Sequence, residues 1–307
     1  MTNEPLIKPI VTINDIASPT PPGYKTATGT IRYGFTNDFM FRSVLEANPL
    51  ALKGLICSML HLQPEEICSI TIKNPFMLGE SVADKDSIMD IRILLNNQTY
   101  INLEMQIATE TFWPERSLTY LCKSFLNLQK GETYSKVRPA IHIGFLDYDL
   151  FPEAPEFYAT YHMANDVTHQ IYTGKFTLSV LSLNQAELAT EEDKKYDIDY
   201  WAKLFKATTW EELRMIAEHN PHLEEAAKTV YQMSDDEQIR ELCFAREEHQ
   251  RIMTGYIEEV EEAKAALAAK ETELVDTQDK LADTQNKLAD ALNEIKRLKK
   301  QLQQPKN

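Results

Sequence analysis

The chain has 307 residues, 43% of them hydrophobic, which is enough for one sizeable core and a further small element. No run approaches the roughly 18 to 20 apolar residues that span a bilayer, and the first residues lack a basic end followed by an apolar stretch; a cytoplasmic protein without a membrane span is expected. The net charge of −15 opposes nucleic-acid contact over the chain as a whole, yet its distribution is uneven.

Residues 185–251 hold 17 acidic against 9 basic side chains, and residues 256–304 hold 11 against 8. Within 116–138 the balance reverses, with Arg116, Lys123, Lys130, Lys136 and Arg138 against Glu132, so a local basic surface is compatible with the total. Cys57, Cys68, Cys122 and Cys243 form no CxxC pair, which points to reduced thiols rather than a zinc knuckle or a disulfide framework.

Residues 1–33, rich in Thr and Pro and without a clear period, read as a flexible arm. Helical spacing begins with Met40, Phe41, Val44 and Leu45, with Thr36 or Asn37 as the cap, and Pro49 opens a second helix. Short β-rich runs follow at 67–74, 87–95 and 99–107, the last two joined by Asn96, Asn97 and Gln98 as a hairpin. A helix is predicted from Pro114 to Lys130, stopped by Gly131, and a strand over 140–148. Two more strand-like runs, 156–164 and 169–183, precede a wholly helical remainder in which Thr209, Asn220 with Pro221, and the acidic run at 234–237 open successive helices.

From Val260 an apolar residue returns every seven positions, through Leu267, Leu274, Leu281, Leu288 and Ile295 to Leu302. This spacing predicts a long helix whose leucine edge needs a partner, here self-association through 260–302 as a homodimer or higher homo-oligomer. The companion positions Lys270, Thr277, Thr284, Ala291 and Leu298 are poor in large apolar groups, so the coiled coil is expected to be modest.

Strand alternation separates Asp90 and Arg92 from Met89, Ile91 and Ile93, and separates Asn102, Glu104 and Gln106 from Ile101, Leu103, Met105 and Ile107. If the two strands are neighbours, Asp90 and Glu104 converge closely enough to share a divalent cation, with Gln106 positioned to hold a water or a phosphate. Such a pair suits phosphodiester hydrolysis, because the cation offsets charge on the phosphate and activates water near neutral pH. On the next helix, Arg116, Tyr120, Lys123, Asn127 and Lys130 follow three- and four-residue steps, a stripe suited to a nucleic-acid backbone; Leu118, Leu121, Cys122 and Phe125 fall on the other side. His142 and His162 lie outside any HExxH-like spacing and read as satisfied core or edge histidines, and no GxxxxGK[ST] or GxGxxG supports nucleotide chemistry.

The order helix, three strands with Asp on the second and ExQ on the third, helix, strand resembles the PD-(D/E)XK nuclease core, specifically its transposase-like, recombination-promoting nuclease family. The resemblance is carried by residues 36–45, 85–93, 101–107, 116–125 and 130–148. It implies an α/β fold with a restriction-endonuclease-like αβββαβ core and a mixed sheet over 34–183; the charge count and the heptad line in turn assign an acidic helical extension to 184–254 and a coiled-coil helix to 255–304. It also implies that Asp90 and Glu104 bind Mg²⁺, that the substrate is DNA, and that Asp38 is an accessory carboxylate. Gln106 stands where most of the superfamily has lysine and cannot supply positive charge, which makes Lys85 and Lys123 candidates to replace it. A metal-dependent DNA endonuclease linked to recombination or transposition is therefore expected. The competing expectation, motivated by the acidic helical segment and the missing lysine, is a non-catalytic nuclease-fold interaction protein that dimerises through its coiled coil.

Overall fold

A computed structural model of the chain describes residues 17–73, 91–128 and 130–302. The first two helices start where short polar side chains satisfy free backbone N–H groups. Asn37 accepts from the Met40 N–H at 3.1 Å to open α1 (Asp38–Ala47), and Asn48 accepts from the Leu50 and Ala51 N–H groups to open α2 (Pro49–Leu60), with Pro49 in its first turn. The β-rich runs become β1 (Ile70–Ile72), β2 (Ile91–Leu95) and β3 (Thr99–Gln106), an antiparallel set. Asn96 and Asn97 take positive φ in the β2–β3 turn, as a tight hairpin requires.

The helix after β3, α3 (Trp113–Phe125), crosses over to β4 (Ala140–Leu146), which pairs with β3 in parallel. β5 (Tyr158–His162) and β6 (Phe176–Ser182) complete a mixed sheet of order β1-β2-β3-β4-β6-β5. The last predicted strand run is shorter than expected: residues before Phe176 form turns and an isolated bridge between Ala164 and Ile171. The helix expected to reach Lys130 ends at Phe125, because the Asn127 amide donates to the Ser124 and Arg138 carbonyls and accepts from the Arg138 N–H, fastening the chain to the segment before β4.

Alternation along the central strands divides the sheet into two unlike faces. Ile101, Leu103 and Met105 of β3, with Ile143 and Phe145 of β4, enter the main apolar core with Phe41, Val44 and Leu55 of α1 and α2. The other face carries Asn102, Glu104 and His142, all buried, beneath α3. A smaller apolar group of Trp113, Leu146 and Val180 lies on the α3 side.

The main core continues through α5 (Ile198–Lys206), α6 (Trp210–Ala217) and α7 (Pro221–Ser234), which follow the short α4 (Glu191–Lys195) and contribute Trp201, Phe205, Leu213, Leu223 and Val230. Residues from the segment read as an arm share it: Tyr24, Ile31 and Tyr33 are buried, and Arg214 donates to the carbonyls of Tyr24 and Ala27. The final helix, α8, runs from Glu237 to Leu302. The chain divides into two compact units, up to Gln250 and from Arg251. In the second unit, Val260, Leu267, Leu274, Leu281, Leu288 and Ile295 are each about half exposed along the helix. Among the described residues no helix is long and apolar enough to cross a membrane.

Candidate active site beneath the crossover helix

Glu104 is the third polar position in from the start of β3, and alternation turns it away from the apolar core. Its side chain is 3% exposed. A carboxylate so desolvated needs compensating charge or strong donors. Arg116, one turn into α3, supplies it: Nη2 lies 2.9 Å from Glu104 Oε1, while Nη1 lies 3.8 Å from Glu110 Oε2. Burial alone would lower the Arg116 pKa, but Glu104, with Tyr120 and Glu110, holds it above its ordinary value.

Around this pair stands a polar and aromatic wall. His142 Nε2 is 3.5 Å from Glu104 Oε2, and its Nδ1 is 3.0 Å from Asn102 Nδ2. The Tyr120 ring lies near parallel to His142 at 6.3 Å between centroids, with Arg116 and the Lys123 ammonium 5.5 and 5.2 Å from the Tyr120 ring centre. Gly144 pairs with Glu104 in the β3–β4 register, and a Cβ there would come within 2.2 Å of the Trp113 ring. Glycine at this position is what lets α3 sit close enough for Arg116 to reach Glu104.

The predicted residues divide by environment. Glu104, Arg116 and Tyr120 come together. Lys123 is exposed beside them. Gln106 ends β3 and donates from Nε2 to the Ala108 carbonyl at 2.9 Å. Asn127 is committed to the clamp with Arg138, and Lys130 is exposed beyond the end of α3. The expected stripe is corrected in two ways. Arg116 turns inward to a carboxylate, and Leu118 and Cys122, read as the apolar side, are exposed; the face of α3 packed on the sheet is Trp113, Ser117, Leu121 and Ser124. The reason is the polar sheet face below, against which small serines fit and a leucine-rich stripe would not.

Asp90 and Lys85 lie outside the described residues. Ile91, which follows Asp90 in the chain, pairs with Leu103, which precedes Glu104. Asp38, in the first turn of α1, is buried; Arg246 Nε and Gln250 Nε2 of α8 donate to its Oδ2 at 2.7 and 3.2 Å, while Oδ1 has no hydrogen-bond partner among the described residues. Burial raises its pKa, and the Arg246 and Arg116 charges pull it back.

For a hard divalent cation the donor chemistry is suitable in kind, since Glu104 and Asp38 offer buried carboxylate oxygens. Among the described residues no group of three or more His, Cys, Asp or Glu side chains converges, so such an ion would depend on Glu104 and on a residue beyond them.

The Glu104–Arg116 pair and the placement of Asn102 and His142 beside it were not legible in the sequence. The twelve-residue spacing between Glu104 and Arg116 carries no periodic signal. Asn102, sharing the parity of Glu104 on an otherwise apolar strand, was the one available hint.

No curated protein and no solved structure matches the chain. A family model described as PD-(D/E)XK nuclease family transposase matches residues 35–260, from the Phe35 turn through the first turns of α8. Taken with the αβββαβ order and the buried acid on the third strand, that match places the chain in the PD-(D/E)XK nuclease family of transposases.

Proposed function

We propose that the protein is a Mg²⁺-dependent DNA endonuclease that hydrolyses phosphodiester bonds, in keeping with a nuclease family linked to transposition. The observation that carries this reading is the buried Glu104 carboxylate on the central strand, 2.9 Å from the guanidinium of Arg116. Glu104 and Asp90 would hold the ion, with Asp38 as an accessory carboxylate. When bound, the ion supplies charge neutralisation at the phosphate and a water of lowered pKa.

The chain's own residues take the remaining roles. Arg116 supplies the positive charge that Gln106 cannot, from a helix instead of from the strand, with Lys123 and Lys85 as further cations. A guanidinium is suited to two phosphate oxygens at once, so it stabilises the charge that builds there. Gln106 orients a water or phosphate through its amide. Tyr120, Lys123, Asn127 and Lys130 continue toward the nucleic-acid backbone, contacting it without reading sequence. The heptad line of α8 pairs two or more copies, which would present two sites to a duplex.

The test is nicking of supercoiled plasmid in Mg²⁺. Wild type should nick, and Glu104→Ala or Asp90→Ala should reduce the rate by more than about 100-fold, beyond what loss of a ligand's supporting partner causes. Activity retained in either variant removes that residue from the mechanism.

One observation favours a second reading, a non-catalytic nuclease-fold protein that holds partners through its helices: Arg116 already balances the charge of Glu104. Calorimetry separates the two. A catalytic site gives Mg²⁺ heat that disappears in Asp90→Ala, and a decayed one gives none.

A further inference from the structure

His142 is completely buried on β4, opposite Asn102 of β3. Trp113 and Tyr120 of α3 cover its ring, with centroids 6.0 and 6.3 Å away. Its two nitrogens face different groups: Nδ1 is 3.0 Å from the Asn102 amide nitrogen and Nε2 is 3.5 Å from Glu104 Oε2. An amide nitrogen only donates, so Nδ1 must accept, and the single proton of a neutral imidazole then sits on Nε2, 3.5 Å from Glu104 Oε2, where neither atom has a hydrogen-bond partner among the described residues. The opposite choice, with the Asn102 oxygen accepting from Nδ1–H, would set the Nε2 lone pair against an anionic oxygen in a site with little water to screen it.

We propose that Asn102 and His142 are a positioning pair for Glu104: Asn102 selects the imidazole tautomer, and the His142 Nε2–H orients one carboxylate oxygen so that Glu104 meets a divalent cation in a single orientation. The inference rests on the reading of Glu104 as a cation ligand. Neither residue touches the ion; both act through Glu104. The division of labour on that carboxylate is explicit, since Oε1 faces Arg116 and Oε2 faces His142. A divalent ion approaching Glu104 competes with Arg116 for the carboxylate, whereas the His142 donor can stay in place. Loss of such a supporting donor typically lowers metal affinity about 10- to 100-fold.

The experiment uses the full-length chain and two readouts. Nitrogen-15 NMR of labelled histidine, read through couplings to the ring carbons' protons, should find His142 neutral with its proton on Nε2; a proton on Nδ1 overturns the proposal without any variant or activity. Calorimetric titration with Mn²⁺ should show affinity reduced about 10-fold or more in His142→Phe, which keeps an aromatic ring under Trp113, and closer to wild type in His142→Gln, whose amide restores a donor near the Nε2 position. Equal affinity in wild type and His142→Phe overturns it. Wild type that binds no Mn²⁺ instead overturns the reading of Glu104 itself, and the positioning role falls with it.

Discussion

The two faces of β3 present opposite solutions to burial within eight residues. On one face Ile101, Leu103 and Met105 meet α1, α2 and the neighbouring strands with no polar obligations. On the other, Asn102 and Glu104 are just as inaccessible, yet each is useful only if its partners arrive from elsewhere, from β4 and α3. Apolar contacts are non-directional and tolerate modest shifts, whereas a desolvated carboxylate is stable only with donors in the right geometry. The core face therefore sets how stable the fold is, and the α3 face carries the polar groups to which the proposed activity is assigned.

Exchanging the two properties at adjacent positions gives the largest expected effect. Leu103→Ala should destabilise by about 2–5 kcal/mol through lost burial and a residual cavity, lowering the denaturation midpoint with activity falling only as the folded fraction does. Glu104→Gln, one residue later, should abolish nicking at a smaller stability cost, roughly 1–3 kcal/mol, because Arg116 loses its charged partner but retains some solvent. A Glu104→Gln protein that nicks normally would erase the distinction between the faces.

Gly144→Ala tests whether the site depends on the close approach of α3. The added methyl meets the Trp113 ring, and a cost of about 1–3 kcal/mol is expected, together with loss of activity as Arg116 is moved away from Glu104. Urea denaturation and the plasmid assay on one preparation measure both.

The pH dependence sharpens the comparison from the polar side. The unfolded chain protonates His142 near its ordinary value of 6.5, while the native ring stays neutral until about 3. Its contribution to stability is thus full above pH 6.5 and is lost progressively as the pH falls toward 3. Wild type and His142→Gln, compared by denaturation midpoint between pH 7 and 4, should diverge in that direction; parallel curves would show that the ring is not buried neutral.

The smallest effect on the folded unit is expected from the tail. Leu281→Glu, at a half-exposed heptad position, should leave the denaturation midpoint of the nuclease unit within about 0.5 kcal/mol and shift sedimentation toward monomer. Unchanged sedimentation would remove self-association through this line of residues.

Several of these features were legible before any coordinates. Caps at Asn37, Thr209 and Asn220 were readable because capping is local, a side chain meeting an N–H two or three residues on. The alternation that turns Glu104 away from Leu103 was equally local. The burial of Tyr24, Ile31 and Tyr33 was hidden, because a Thr- and Pro-rich segment with no period gives no sign of the helices that receive it. The α3 stripe misled for a related reason: periodicity reports that a helix has two sides, and the chemistry of the surface it lands on decides which side is covered.

By itself the sequence determined the order of helices and strands, the acid at position 104 and the leucine line of the last helix, since each is written in spacings of a few residues. Tertiary structure alone decided that Arg116 faces Glu104, that His142 stands between Asn102 and that carboxylate, and that Gly144 makes room for Trp113 above them. These contacts join residues 12 to 40 positions apart across a parallel crossover, where strand register and the seating of one helix, and no local preference, set the distances.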